Sequence, residues 1–115
     1  MKDDRVYVRH ILECIRRIEE DTAAGKDRFM SSHTLHDAVL RNLQIMAESV
    51  QRLSDLSKAA QPGIDWRKIA AFRNVLVHNY LGLDLEIIWR IVQEDLPTLK
   101  TAVESLLHEK NDSDI

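Results

Sequence analysis

Between positions 73 and 80 the chain reads Arg73, Asn74, Val75, Leu76, Val77, His78, Asn79 and Tyr80, which gathers a permanent cation, a titratable imidazole and a phenol at the end of an apolar stretch. A guanidinium offers a bidentate fork to phosphoryl oxygens. An imidazole with an unperturbed pKa of about 6.5 can take or give a proton near neutrality. Together they suit phosphate chemistry without a metal. Asn74 and Asn79 can orient the phosphate or the imidazole, and each equally suits a helix surface or a C-cap.

Helical geometry constrains how these groups meet. Arg73 and Tyr80 are seven residues apart and fall on nearly one face of an ideal helix, whereas Arg73 and His78 differ by about 140°. Either the helix ends or distorts near His78, or the site is completed across a helix cleft or by a second subunit. Ordinary roles are also open to all three: a surface ion pair for Arg73, a cation at a helix C-terminus for His78, and a half-buried ring for Tyr80. Residue types alone do not decide between these.

Other candidate groups carry less. His33 and His36 are three apart with Asp37 adjacent, at an expected helix start where they could gather a cation. No third strong ligand lies nearby in sequence, so no metal site and no cofactor are expected. His10 and His108 are isolated and read as surface residues. The single cysteine, Cys14, excludes an internal disulfide; among Ile11, Ile15 and Ile18 it reads as a small buried hydrophobe, with a reactive thiol as the alternative. Arg5, Arg9 and Arg16 form a basic stripe at helical spacing that suits either a solvated face or a phosphate-tracking surface.

The elements that must position the 73–80 segment follow from apolar periodicity. Val8, Ile11, Leu12, Ile15 and Ile18 recur at three and four and predict a first helix that ends near Gly25. Thr34 and Asp37 have capping-box spacing and open a second, through Leu35, Val39, Leu43, Met46, Val50 and Leu53 to about Ser57. Lys58 to Gly63 breaks the pattern, and Asp65 is placed to cap a third helix carrying Trp66, Ile69, Phe72 and Leu76. After a second break at Asn79 to Asp84, residues Leu85, Ile88, Trp89 and Val92 predict a short helix. Pro97 starts a last one with Leu99, Val103, Leu106 and Leu107. The end, about 110–115, reads as a frayed tail. Helices with one apolar stripe each must bury those stripes against one another, so the expected fold is all-α: one antiparallel bundle over residues 1–115, of four main helices and a short extra one.

Composition agrees. Three glycines and two prolines disfavour a many-turned β architecture. No apolar run approaches the ~20 residues of a membrane span and no h-region opens the chain, so a cytoplasmic protein is expected. A net charge of -3 argues against holding nucleic acid by bulk electrostatics, so any such contact must be local.

The spacing Arg73-x4-His78-x-Tyr80, with its flanks, resembles the HepT-like family within the HEPN group of helical domains. The similarity runs from His10–Ile15 through Asp37–Leu43 and Trp66–Asn74 to Asp84–Trp89. The resemblance implies the toxin half of a HepT/MntA-type (type VII) toxin–antitoxin pair: a metal-independent endoribonuclease whose antitoxin is a minimal nucleotidyltransferase. It implies Arg73 and His78 as catalytic residues, with Asn74 and Asn79 supporting, and Tyr80 as the side chain to which the partner attaches AMP. It also implies a homodimer in which two motifs face a shared cleft, which would answer the geometric difficulty above. Adenylylation would set a bulky phosphodiester beside Arg73 and fill the cleft; the alternative is that Tyr80 only stacks on a base. A reading of a different class is a non-catalytic helical module that docks a nucleotidyltransferase and offers Tyr80 as its substrate.

Overall fold

The computed structural model describes the backbone of residues 4–78 and 84–113 and the side chains of residues 4–72 and 84–108. Its described elements are all helical, as the periodicity predicts: α1 (Asp4–Thr22), α2 (Lys26–Ser31), α3 (His33–Gln51), α4 (Asp55–Ala59), α5 (Trp66–His78), α6 (Leu85–Arg90), a π-turn (Ile91–Asp95) and α7 (Leu96–Ser113). α3 packs against both α1 and α5, and α7 packs against α1.

The apolar stripes meet in one core. Val8, Ile11, Ile15 and Ile18 of α1 bury against Val39, Leu43, Met46 and Val50 of α3, with Leu99, Val103 and Leu106 of α7 joining them. Each such side chain contributes roughly 1.5–3 kcal/mol by leaving water. Cys14 belongs to this core, and burial pushes its thiol up from the ordinary range, so it stays protonated and inert. The outer face of α1 is a lattice of charges. Arg16 bonds Glu13 at 2.7 Å and Glu20 at 2.6 Å, and Arg17 bonds Glu13 at 3.1 Å. The hydrogen bonds from Arg16, then Arg17, hold the Glu13 carboxyl at about 2, well below its usual range. Arg16 is thus occupied within its own helix, which favours the solvated-face reading of the basic stripe at that position.

α1 ends near Gly25, as expected, while several other boundaries differ from the sequence reading. α1 stops where Gly25 takes a φ of 100°, a left-handed conformation that favours glycine. The six-residue α2 that follows was not expected, because it is under two turns long and its one fully buried side chain, Phe29, makes no stripe. α3 is capped not by Thr34 with Asp37 but by Ser32, whose extended backbone (φ -118°, ψ 106°) lets its hydroxyl accept the Leu35 N–H at 3.3 Å. Ser32 also closes α2, its N–H donating to the Phe29 carbonyl at 3.3 Å.

The expected run from α3 to Ser57 is broken at Ser54, which is extended and caps α4 instead. The break is fixed by Asp4, a buried carboxylate at the start of α1. It accepts the Ser54 N–H at 3.2 Å, the Ser54 hydroxyl at 2.6 Å and the Ser57 hydroxyl at 2.5 Å. Removing it leaves several donors without that acceptor, so Asp4→Ala should lower stability by about 2–3 kcal/mol. Urea unfolding would check this; a variant within about 0.5 kcal/mol of the parent would show that the network is dispensable.

Pro97 does not begin a separate helix. α6 and α7 run on through the π-turn, in which the Leu96 N–H reaches back five residues to the Ile91 carbonyl. Proline lacks an N–H and its ring crowds the carbonyl four residues earlier, at Gln93, so the helix widens by one residue just ahead of it. The backbone is helical through Ser113, and residues 114–115 lie outside the described residues. Among the described residues, no helix is long and apolar enough to cross a membrane.

Candidate active site on helix α5

α5 is held from its first turn. The Asp65 carboxylate accepts the Lys68 N–H at 3.1 Å, the cap that the sequence suggested. The Trp66 indole N–H donates to the Lys58 carbonyl at 3.0 Å and lies 3.3 Å from that of Gln61, which ties the start of α5 to the end of α4. Lys68 Nζ reaches Asp95 Oδ1 of the π-turn at 3.0 Å. Lys68 and Asp95 were not singled out from sequence; they are twenty-seven residues apart, and no local pattern pairs them.

From these anchors α5 remains helical through His78. Arg73, Asn74 and His78 therefore sit on one uninterrupted helical backbone, and no distortion intervenes between the arginine and histidine positions. Asn79 and Tyr80 lie outside the described residues. The positions sort by helical angle. Ile69 and Phe72 are buried against the core, whereas Arg67 and Ala71 are exposed. At about 100° per residue, position 73 falls about 40° from that of Ile69, while position 78 falls about 20° from that of Arg67. The α5 backbone thus carries the arginine position on its inner side and the histidine position on its outer side. On this one helix the two positions are about 140° apart.

At the other candidate cation site, around His33, His36 and Asp37, one imidazole is engaged in aromatic packing. His36 stacks edge-on against Phe29, with ring centroids 5.1 Å apart, and Phe29 meets Trp89 at 5.5 Å on its other side. His36 Nε2 is buried without a hydrogen-bond partner among the described residues. Among the described residues no three His, Cys, Asp or Glu side chains converge.

Comparison with known proteins bears on this arrangement. Residues 11–106 match the family described as Ribonuclease HepT-like. A Thermococcus cleftensis protein named "Probable ribonuclease HepT" is 36% identical over 101 residues, covering 87% of this chain and 92% of its own. The "mRNA nuclease HepT" of Shewanella oneidensis is 25% identical over 118 residues, covering 82% of this chain and 88% of its own. A Methanocaldococcus jannaschii protein named for a gamma-glutamylcyclotransferase and an RNase is 36% identical over 109 residues, 94% of this chain. The chain spans about half of that relative's length, 49%. No solved structure gives a significant match.

Proposed function

The chain belongs to the Ribonuclease HepT-like family, and from that premise we propose that it is a metal-independent endoribonuclease, the toxin of a toxin–antitoxin pair, working as a homodimer with a composite cleft. The observation that carries the dimeric reading is the unbroken helix from Trp66 to His78. Because its arginine and histidine positions point about 140° apart, a second copy is the simplest source of the missing group. RNA is the substrate class, in line with the names of the relatives.

In this mechanism His78 takes the proton of the 2′-hydroxyl, and the oxygen attacks the adjacent phosphorus. The P–O5′ bond breaks as the new P–O2′ bond forms, giving a 2′,3′-cyclic phosphate and a 5′-hydroxyl. The second protomer's copy of this histidine protonates the leaving oxygen, so protons balance without an added cofactor. Arg73 lies against the phosphoryl oxygens and stabilises the charge gathered there. Asn74 and Asn79 orient the phosphate. The test is incubation of purified protein with total RNA in EDTA, beside the Arg73→Ala and His78→Ala variants; wild-type cleavage no better than theirs would end the ribonuclease reading.

Tyr80 is the control point of the proposal. A minimal nucleotidyltransferase antitoxin would transfer AMP from ATP to its hydroxyl and release pyrophosphate. The added phosphodiester would then compete for Arg73 and occupy the cleft. Incubation with the cognate partner and ATP should add one AMP to the intact mass of the wild type and none to Tyr80→Phe. A gain that survives in Tyr80→Phe would place the modification elsewhere.

A further inference from the structure

The face of α5 that bears His78 starts at a cation with no internal role. Arg67 is exposed and makes no ion pair with any described residue. Its neighbour Lys68 is already neutralised by Asp95. Along the helix, positions 67, 71, 74 and 78 fall within about 60° of one another, so Arg67, the small exposed Ala71, Asn74 and His78 form one line. The line is about 16 Å long from end to end, at about 1.5 Å per residue. A stacked single strand advances about 3.4 Å per phosphate, so such a strand anchored at His78 would present its phosphate about five nucleotides away to position 67. Ala71, between the two ends, is small and exposed.

Resting on the ribonuclease reading, we propose that Arg67 is a second phosphate contact for the RNA, and that the substrate strand lies along the outer face of α5 from His78 toward the start of the helix. An acidic chain, net -3, cannot gather RNA by its overall field. It needs isolated cations set where the strand passes, and Arg67 is such a cation on the catalytic helix. The residue binds substrate and takes no part in bond breaking, so its loss acts on affinity and substrate length.

The measurement is fluorescence anisotropy of a labelled RNA of about ten nucleotides with the full-length His78→Ala chain, compared with the same chain carrying Arg67→Ala or Arg9→Ala. Arg9 is an exposed arginine on α1, a helix that packs on α3 and α7. Loss of Arg67 should raise Kd about 5–20-fold and lower the salt slope by about 0.7, as for one phosphate on a single strand. Loss of Arg9 should change neither. In the cleavage-competent chain, Arg67→Ala should leave kcat unchanged, raise KM for the longer RNA, and leave kcat/KM for a dinucleotide unaltered. An unchanged Kd, or an equal effect from Arg9→Ala, overturns the inference. So does a loss on the dinucleotide that equals the loss on the longer RNA. Binding without any cleavage by the wild type would remove the ribonuclease reading alone, and the Kd comparison would still decide Arg67.

Discussion

His78→Ala should lower RNA cleavage by about 10²–10⁴-fold, the usual worth of a positioned acid or base, with little change in the amount of RNA bound. Arg73→Ala should cost about 10²–10³-fold, comparable to removing one preorganised donor from a developing oxyanion. These losses come from bond breaking, so they should appear in kcat measured in single turnovers. A fall confined to KM would instead mark both residues as binding groups. The same pair tests the composite cleft. If each productive site draws on two protomers, wild type exchanged with an equal amount of Arg73→Ala/His78→Ala should show, at equal total protein, about a quarter of the wild-type activity, because only dimers of two intact chains work. Sites complete within one chain would retain about half.

The second large effect is on stability. Phe29 is fully buried, and it is the one buried side chain of α2. It fills the space between the His36 ring at 5.1 Å and the Trp89 ring at 5.5 Å, so it joins α2 to both α3 and α6. Phe29→Ala removes that plug, strands the buried His36 Nε2 beside a cavity and should cost about 3–5 kcal/mol. Leu56 is the matching control: it is 81% exposed on α4, and its truncation should change stability by less than about 0.5 kcal/mol. Denaturant midpoints for the two variants would check the contrast. A Phe29→Ala midpoint close to wild type would mean that α2 is not part of the cooperative unit.

Much of the bundle was legible because its long helices obey a simple period. The stripes of α1, α3 and α7 are the buried residues that spacing picked out, and Asp65 caps α5 where a capping side chain was expected. What escaped was set by contacts distant in sequence. Nothing around Ser54 says that the helix must stop there; Asp4, fifty residues earlier, takes its N–H. α2 is too short to show a period, and Ser32 competes for the cap with a threonine two residues later that has an equally good local pattern. Pro97 looked like a beginning because proline suits a first turn; that an upstream widening can absorb it depends on how the whole element packs. At the candidate site, the 140° offset between Arg73 and His78 was readable from spacing, and the continuous α5 backbone carries it. The Lys68–Asp95 tie that braces the helix was not readable.

The π-turn has a consequence for how this chain tolerates changes of length. Helical segments ordinarily accept neither gain nor loss of a residue, because each step swings everything downstream by about 100°. Here the widened turn at Ile91–Asp95 holds one residue beyond what a regular helix needs. Deleting one residue within it would therefore restore a regular helix and leave the downstream phase unchanged: Leu99, Val103 and Leu106 would still face α1, and Lys100 would still reach Glu19, now 3.1 Å away. The same deletion a turn or two later, inside α7, would rotate the rest of that helix off the core. The turn is thus the one place along α6 and α7 where the chain can shed a residue and keep its assembly.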